Sequence, residues 1–321
     1  MSAGDLVTKN LVKSVRVISD AVRNRGWRWT FIRLKEEFCA WKPRLCGKRQ
    51  TPLYWFYSES SPNFGDVLNP WLYEKITGGA PVRVKAGCNK DHVLAIGTVL
   101  NKANSSSIVW GAGGHAKKAP KEILALRGPL SAASLARLNV PSPSIYGDPG
   151  LLVARYYVPR VVQATDFTLV PHLHDYKLVN SWYKTDREVR VLDLRSEVET
   201  ILDQISSSSL VISSSLHGVV VSHSYGIPVA WAIFQNDLAD QSPIGTDKFV
   251  DYFLGIGVSP PYYPVFFGNQ KIAELAEIDW SRHVIPVPEG VVQRVQERLL
   301  RVCPFHDPAA ERRTVGVAKE K

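Results

Sequence analysis

Between residues 52 and 302 the chain alternates short apolar runs with longer segments whose apolar residues recur at helical spacing. In the first half, the runs 52–57, 92–100 and 107–114 are bounded by Gly, Pro or Ser and predict buried strands. The segments 68–78 and 129–139 predict helices. This alternation is typical of a mostly parallel sheet that is covered by helices on both faces.

The same alternation starts again after about residue 165. The predicted strands are 167–173, 188–194, 209–215 and 228–234, and the predicted helices are 197–208, 216–226, 247–257 and 288–302. We therefore expect an α/β protein with two Rossmann-like domains that face each other across a cleft. The predicted organisation is an N-terminal arm over 1–50, an N-terminal α/β domain over 51–160, a C-terminal α/β domain over 161–305 and a flexible tail over 306–321.

The N-terminal arm carries most of the charge. Residues 1–50 hold twelve Lys or Arg and four Asp or Glu, so they contribute +8 to the formal net charge of +9. Their apolar residues follow helical spacing, and Trp and Phe are interleaved with basic side chains. Residues 1–48 therefore suit an anionic membrane surface, and they equally suit packing against the protein's own body. The rest of the chain carries only +1, which argues against nucleic acid as a partner.

The composition is typical of a soluble globular protein, with 45% hydrophobic and 21% charged residues. No apolar run reaches the roughly 18 residues that cross a bilayer, and the N-terminus lacks the continuous apolar region of a secretory signal. The four cysteines include no Cys-x-x-Cys pair, which suits reduced thiols better than disulfides. We therefore expect a cytoplasmic protein.

Glycines and polar residues cluster where the predicted strands end. Gly113 and Gly114 close one apolar run, Arg127 closes the next, and His172 lies near the end of the first strand in the second half. In open α/β sheets, ligands bind beyond the carboxyl ends of the strands. These four residues are therefore candidates for binding a ligand.

Residues 213–218 read SSSLHG and join a predicted strand to a predicted helix. A helix that begins just after the serines presents free backbone N–H groups at Ser214 and Ser215, which suits an anion. His217 lies in the first turn and points its imidazole toward the same place. Taken alone, the segment also fits an ordinary serine cap followed by a structural histidine.

Five motifs occur in order along the chain. They are NFGDVLNPWL (63–72), WGAGGH (110–115), RGPLSAASL (127–135), YGDPGLL (146–152) and SSSLHGVVVSHSYGIPV (213–229). Together they resemble the polysaccharide pyruvyl transferase family over roughly residues 50–260, and most closely its bacterial exopolysaccharide ketal-pyruvate transferases. The resemblance implies a GT-B-like fold. It also implies transfer of the enolpyruvyl group of phosphoenolpyruvate onto two hydroxyls of one sugar, which gives a cyclic pyruvate ketal and phosphate.

The resemblance also implies the partners of the chain. Phosphoenolpyruvate is the donor substrate on the C-terminal domain, and no cofactor or metal ion is expected. The acceptor is a sugar of an exopolysaccharide or of its lipid-linked oligosaccharide precursor, bound largely by the N-terminal domain. A lipid-linked acceptor implies a peripheral position at the inner face of the membrane.

The donor chemistry needs a proton and fixed positive charge. The methylene carbon of phosphoenolpyruvate must be protonated, and the resemblance assigns this task to His217, because histidine is a general acid with a pKa near neutrality. The same resemblance assigns part of the anion to Ser214 and Ser215. Arg127 is the first candidate for the carboxylate or phosphate, because a guanidinium binds either bidentately. Lys248 is a weaker candidate, since a lysine at a helix start is often only solvated.

The remaining candidates are less specific. Asp66 either takes a proton from a sugar hydroxyl or caps the following helix, and Asn69 is expected to contact the substrate beside it. His172 and His174 share one face of a predicted strand, and we expect one of them to contact the substrate. Asp148 is interpreted as a turn residue.

Two other functions fit the same fold. One is a GT-B glycosyltransferase that uses a nucleotide sugar, although the chain has no Asp-x-Asp triplet for a metal-bound sugar nucleotide. The other is a non-catalytic, membrane-associated assembly subunit, against which the joint presence of Arg127 and His217 argues.

Overall fold

A computed structural model describes residues 51–58, 62–160, 162–186, 188–235, 243–272 and 274–305. The predicted basic arm over 1–50 and the predicted tail over 306–321 lie outside the described residues. Contacts divide the chain into two units, one of which holds residues 51–78 and everything described from Arg83 onward. Only residues 79–82 of the other unit are described.

The first sheet has five strands in the order β2-β1-β3-β4-β5. The strands are β1 (Pro52–Tyr54), β2 (Val82–Val84), β3 (His92–Leu94), β4 (Ser107–Trp110) and β5 (Glu122–Ala125). The pairs β1–β3, β3–β4 and β4–β5 are parallel. The α-helices of this half are α1 (Phe64–Thr77), α2 (Pro129–Ala136) and α3 (Val153–Tyr156), and its 3₁₀ helices are Leu100–Lys102 and Pro149–Leu152.

The second sheet also has five strands, in the order β10-β9-β8-β6-β7, and all of its pairs are parallel. The strands are β6 (Thr165–Val170), β7 (Val189–Val191), β8 (Ser208–Ser213), β9 (Val229–Ile233) and β10 (Val265–Phe266). The α-helices are α4 (Tyr176–Tyr183), α5 (Val198–Ser206), α6 (Leu216–Tyr225), α7 (Pro243–Gly255) and α8 (Val291–Arg301), and the 3₁₀ helices are Leu275–Glu277 and Trp280–Arg282.

The predicted α/β class is confirmed. Two parallel five-stranded sheets are consistent with two Rossmann-like domains. The GT-B arrangement and the predicted boundary near residue 160 stay predictions.

Two elements differ from the sequence prediction in ways that affect the site. Helix α1 begins at Phe64, four residues earlier than predicted, because Asn63 is its N-cap with an extended backbone. The motif NFGD therefore forms the first turn of a helix. The run 92–100, predicted as one strand, is a strand only over His92–Leu94, and Gly97 leaves the extended region at φ 119°.

The last helix returns to the first sheet. The indole Nε1 of Trp110, at the end of β4, donates a hydrogen bond to the carbonyl of Leu299 in α8 at 3.0 Å. Trp110 and Leu299 are fully buried, and they share one apolar cluster with Val170 and Val211 of the second sheet. One core therefore connects elements of both sheets and supports the loops at the strand ends. None of the helices in the described ranges combines the length and the apolar character that a bilayer crossing requires.

Candidate functional site

The loop between β8 and α6 holds the predicted anion site. Ser215 is the N-cap of α6 and has an extended backbone, with φ −99° and ψ 126°. Ser213 is buried, and its hydroxyl accepts a hydrogen bond from the Ser215 N–H at 3.0 Å. The Ser214 N–H donates to the Val170 carbonyl at 3.2 Å, so the prediction that these two N–H groups are free for an anion is wrong. A Cβ on Gly218 would collide with the Ser213 hydroxyl. Packing inside the loop therefore requires this glycine.

Ser214 ties the loop to the segment that follows β6. Its hydroxyl donates to Asp175 Oδ2 at 2.6 Å and accepts from the His172 N–H at 2.9 Å. His172 and His174 lie beyond the end of β6, so the prediction that they share one face of a strand is wrong. Pro171 explains the difference, because it has no N–H with which to continue the ladder. Contact of His172 or Ser214 with a substrate stays a prediction.

His217 lies in the first turn of α6, and its imidazole packs against the backbone of α1. A Cβ on Gly65 would lie 2.1 Å from Nδ1 of the ring. The other nitrogen, Nε2, lies 3.9 Å from Asp148 Oδ2, and the side chain is 13% exposed. Among the described residues, neither Nε2 nor Asp148 Oδ2 has a hydrogen-bond partner. The backbone of Gly65 thus sets the position of the ring.

The electrostatic environment keeps His217 neutral. Burial lowers its pKa to about 3, and the positive charges of Arg127, Lys248 and His172 add to the effect. The prediction of a pKa near neutrality is therefore wrong for the protein without a ligand. The imidazole must gain a proton before it can act as an acid. An anion bound nearby would favour that proton, because it offsets the positive charges.

Asp148 is more than a turn residue. It is completely enclosed, and its Oδ1 accepts a hydrogen bond from the Gly150 N–H at 2.9 Å, which caps the 3₁₀ helix Pro149–Leu152. Burial raises its pKa to about 6, while the Gly150 amide and the Arg127 charge lower it. At neutral pH the carboxyl group is therefore ionised, with its second oxygen turned toward His217.

Arg127 is held by a buried ion pair. Its Nε donates to Asp251 Oδ2 at 3.1 Å, and its Nη1 donates to Thr98 Oγ1 at 2.9 Å. Asp251 is fixed in turn by the Ser131 N–H at 3.0 Å and by the Ser131 hydroxyl at 2.6 Å. A Cβ on Gly113 would collide with the guanidinium. The glycine predicted to approach a ligand therefore makes room for Arg127.

Arg127 and Lys248 line one pocket. The lining consists of Thr98, Gly114, His115, Arg127, Leu130, Ser131, Asp247, Lys248 and Asp251. Gly114 has φ 107°, and its N–H donates to the Ser131 hydroxyl at 2.9 Å. Arg127, Lys248 and Gly114 thus come together in one pocket from three separate segments, and their contact with a substrate stays a prediction. Within the described ranges, no group of three or more His, Cys, Asp or Glu is arranged to hold a metal ion.

Asp66 and Asn69 lie on the same helix but have different surroundings. Asn63, rather than Asp66, is the N-cap of α1, so the capping alternative for Asp66 is wrong. Burial raises the pKa of Asp66 to about 6, although the Asn63 side-chain amide donates to it at 3.0 Å. The Asn69 amide is buried and bonds both the N–H and the carbonyl of Ile96, at 2.9 and 3.0 Å. Asn69 therefore fixes α1 to the loop that follows β3, and its contact with a substrate stays a prediction.

Sequence reasoning missed three members of the site. Asp251 and Thr98 hold Arg127 from 124 and 29 residues away, a separation at which spacing carries no signal. Gly65 received no role in the sequence analysis, whereas it supports the imidazole of His217. A predicted helix start at Phe64 instead of Leu68 would have placed Gly65 in the first turn.

Comparison with known proteins identifies relatives of the chain. A family model described as polysaccharide pyruvyl transferase matches residues 44–232. An uncharacterized protein, L143, of Acanthamoeba polyphaga mimivirus is 26% identical over 223 residues, which cover 66% of this chain and 77% of that protein. The succinoglycan biosynthesis protein ExoV of Rhizobium meliloti is 27% identical over 224 residues, which cover 65% of each chain. No solved structure matches significantly.

Proposed function

The chain belongs to the polysaccharide pyruvyl transferase family, and from this membership we propose that it transfers the enolpyruvyl group of phosphoenolpyruvate to a sugar. Two hydroxyls of the sugar receive the group, so that the products are a cyclic pyruvate ketal and phosphate. The observation that carries the proposal is the placement of Arg127 and Lys248 in one pocket, within electrostatic reach of His217. A donor with a carboxylate and a phosphate needs such fixed charge beside a proton donor.

The pocket suits one end of the donor. Asp247 and Asp251 balance the formal charges of Arg127 and Lys248 in the lining. However, Asp251 is turned toward Arg127 and Ser131, so it fixes the guanidinium and leaves Nη2 without a hydrogen bond to the described residues. The N-terminus of α6 adds the positive end of a helix dipole.

The bound donor activates His217. Because phosphoenolpyruvate is an anion, it raises the pKa of His217, and the imidazole takes up a proton. The imidazolium gives this proton to the methylene carbon, which becomes a methyl group, and the neighbouring carbon becomes an oxocarbenium-like centre. The first sugar hydroxyl attacks that carbon and loses its proton to Asp66, which is ionised above pH about 6. Phosphate then leaves, and the second hydroxyl bonds to the same carbon and closes the ketal. The proton of this hydroxyl goes to the departing phosphate.

The acceptor we propose is a sugar of an exopolysaccharide or of its lipid-linked precursor. The relative named for succinoglycan biosynthesis supports an exopolysaccharide. The basic, Trp-rich sequence of residues 1–48 supports a position at an anionic membrane surface, where a lipid-linked acceptor resides. The enzyme would then work as a peripheral protein on the cytoplasmic side.

Ligand-induced thermal stabilisation tests the donor. A ligand that binds only the folded state raises the melting temperature as its concentration exceeds its dissociation constant. We expect phosphoenolpyruvate to raise it and a panel of nucleotide sugars to leave it unchanged. Arg127→Lys keeps the positive charge but cannot both pair with Asp251 and Thr98 and present a free Nη2, so the shift should shrink in that variant.

A rise in melting temperature with a nucleotide sugar, and none with phosphoenolpyruvate, would contradict the proposal and indicate a glycosyltransferase. Protection by neither class of donor would instead favour the non-catalytic assembly subunit.

A further inference from the structure

Two buried atoms with complementary chemistry face each other without another partner. They are Nε2 of His217 and Oδ2 of Asp148, which lie 3.9 Å apart. Neither atom makes a hydrogen bond to the described residues, and Asp148 is completely enclosed. A buried polar atom without a hydrogen bond destabilises the folded protein. A functional role of the His217–Asp148 pair would explain why the fold tolerates these two unpaired atoms.

The helix cap does not explain this arrangement. Asp148 caps the 3₁₀ helix Pro149–Leu152 through Oδ1 alone, by accepting from the Gly150 N–H. One acceptor oxygen is enough for that cap, and Asn or Ser would supply it equally well. The second oxygen, which is turned toward His217, has no part in the cap.

The two nitrogens of the imidazole have different access. Nε2 is enclosed on the side of Asp148. Nδ1 makes no hydrogen bond to the described residues, and unlike Nε2 it is not fully enclosed. Nδ1 lies on the Gly65 side of the ring, where a Cβ would be only 2.1 Å from it, and the side chain as a whole is 13% exposed. Because Nε2 is enclosed, Nδ1 is the ring nitrogen that a substrate can reach.

We propose that Asp148 is the positioning residue of His217, whose carboxylate keeps a proton on Nε2 so that Nδ1 exchanges the catalytic proton. The part of this inference that concerns catalysis rests on the proposed function, whereas the part that concerns the tautomer does not. The distance of 3.9 Å is too long for a hydrogen bond in the free protein. Catalytic hydrogen bonds often tighten only when the substrate binds, and a charge-assisted N–H···O⁻ bond is about 2.7–2.9 Å long.

The substitution Asp148→Asn would reverse the preference. Because the Gly150 N–H holds the acceptor oxygen, the NH₂ group of the substituted side chain would turn toward Nε2 as a donor. Nε2 would then be the unprotonated nitrogen, and the proton would move to Nδ1. Asp148→Asn thus keeps the cap and the volume of the side chain, removes its negative charge and reverses the tautomer of His217.

The first experiment measures this tautomer directly in the full-length protein. Nitrogen-15 NMR of histidine-labelled protein separates the two neutral tautomers, and His217→Ala assigns the resonances. We expect the Nε2–H form in the unmodified protein and the Nδ1–H form in Asp148→Asn. An Nδ1–H form in the unmodified protein would overturn the proposal without the use of any variant at position 148.

The second experiment is kinetic and has a matched control. In Asp148→Asn we expect kcat for phosphate release from phosphoenolpyruvate to fall about 100-fold, with KM for phosphoenolpyruvate within about threefold. Asp279 caps the 3₁₀ helix Trp280–Arg282 in the same way, by accepting from the Ser281 N–H at 3.2 Å. Asp279→Asn should leave kcat and KM unchanged.

A comparison of single and double variants distinguishes a positioning role of Asp148 from an effect on protein stability alone. Asp148→Asn should have no further effect on kcat once His217 is Ala, because both changes remove the same contribution. Additive losses, or an unchanged kcat in the single variant, would overturn the proposal. If the unmodified protein releases no phosphate from phosphoenolpyruvate with any of the candidate lipid-linked oligosaccharides as acceptor, the proposed function fails, and the NMR tautomer alone then decides the role of Asp148.

Discussion

Gly65 offers a way to move the imidazole of His217 without touching His217 itself. The glycine lies in the first turn of α1, and the ring packs directly on its backbone. A Cβ at this position would lie 2.1 Å from Nδ1, 2.5 Å from Cε1 and 2.9 Å from Cγ. Carbon and nitrogen atoms in contact are normally about 3.5 Å apart. In Gly65→Ala the ring must therefore shift by about 1.4 Å or change its rotamer.

The expected cost falls on catalysis rather than on folding. Alanine is more favourable than glycine in a helix by about 1 kcal/mol, so the helix itself tolerates the change. A displacement of about 1 Å in a reacting group costs on the order of 100-fold in rate, or about 2.7 kcal/mol. We therefore expect kcat/KM for phosphoenolpyruvate to fall about 100-fold in Gly65→Ala. The melting temperature should stay within a few degrees of that of the unmodified protein.

The control is Glu74→Ala, which adds no atom near the site and changes an exposed residue of the same helix. Phosphate release and thermal unfolding are measured for both variants. The glycine variant would refute the reasoning if it were folded and retained more than a third of the original kcat/KM. The position of the imidazole would then not limit the reaction.

Three further predictions follow from the same residues. Asp251→Ala leaves the Arg127 charge buried and unpaired, so the free energy of unfolding should fall by about 3–5 kcal/mol in denaturant titrations; a loss below about 1 kcal/mol would contradict the buried ion pair. Binding of phosphoenolpyruvate near neutral pH should take up a proton on His217, whose pKa lies at about 3 without ligand. Titration calorimetry in two buffers of different ionisation enthalpy measures this uptake, and an equal uptake by His217→Ala would place the proton elsewhere. Deletion of residues 1–48 should release the protein from anionic vesicles, and binding that survives the deletion would contradict a membrane role for the arm.

The sequence predicts the fold class well because it depends on local pattern. Alternating strands and helices predict two parallel sheets, and the order of the strand ends indicates where Arg127, Ser214 and His217 lie. Gly113 stands out in the same way. The sequence does not show why residue 113 must be glycine. The close approach of the Arg127 guanidinium explains it, and that approach exists only once the two strand ends have packed together.

The features that escaped prediction depend on burial and on long-range contacts. Asp148 follows a glycine and precedes a proline, so its local sequence indicates a turn, and only packing by distant helices encloses it. Burial also lowers the pKa of His217, which a reference value for histidine does not reveal. Asp251 pairs with Arg127 from another helix, and no spacing in the sequence connects the two.

Product mass after incubation with phosphoenolpyruvate tests the central claim most directly. The donor carries carbon-13 at all three carbons, and the acceptors are candidate lipid-linked oligosaccharides. We expect one acceptor to gain all three labelled carbons as a ketal while one phosphate is released for each, and we expect both products to form far more slowly with His217→Ala. An acceptor whose mass is unchanged across the panel while phosphate is still released, or one that gains a sugar from a nucleotide donor instead, would contradict the account.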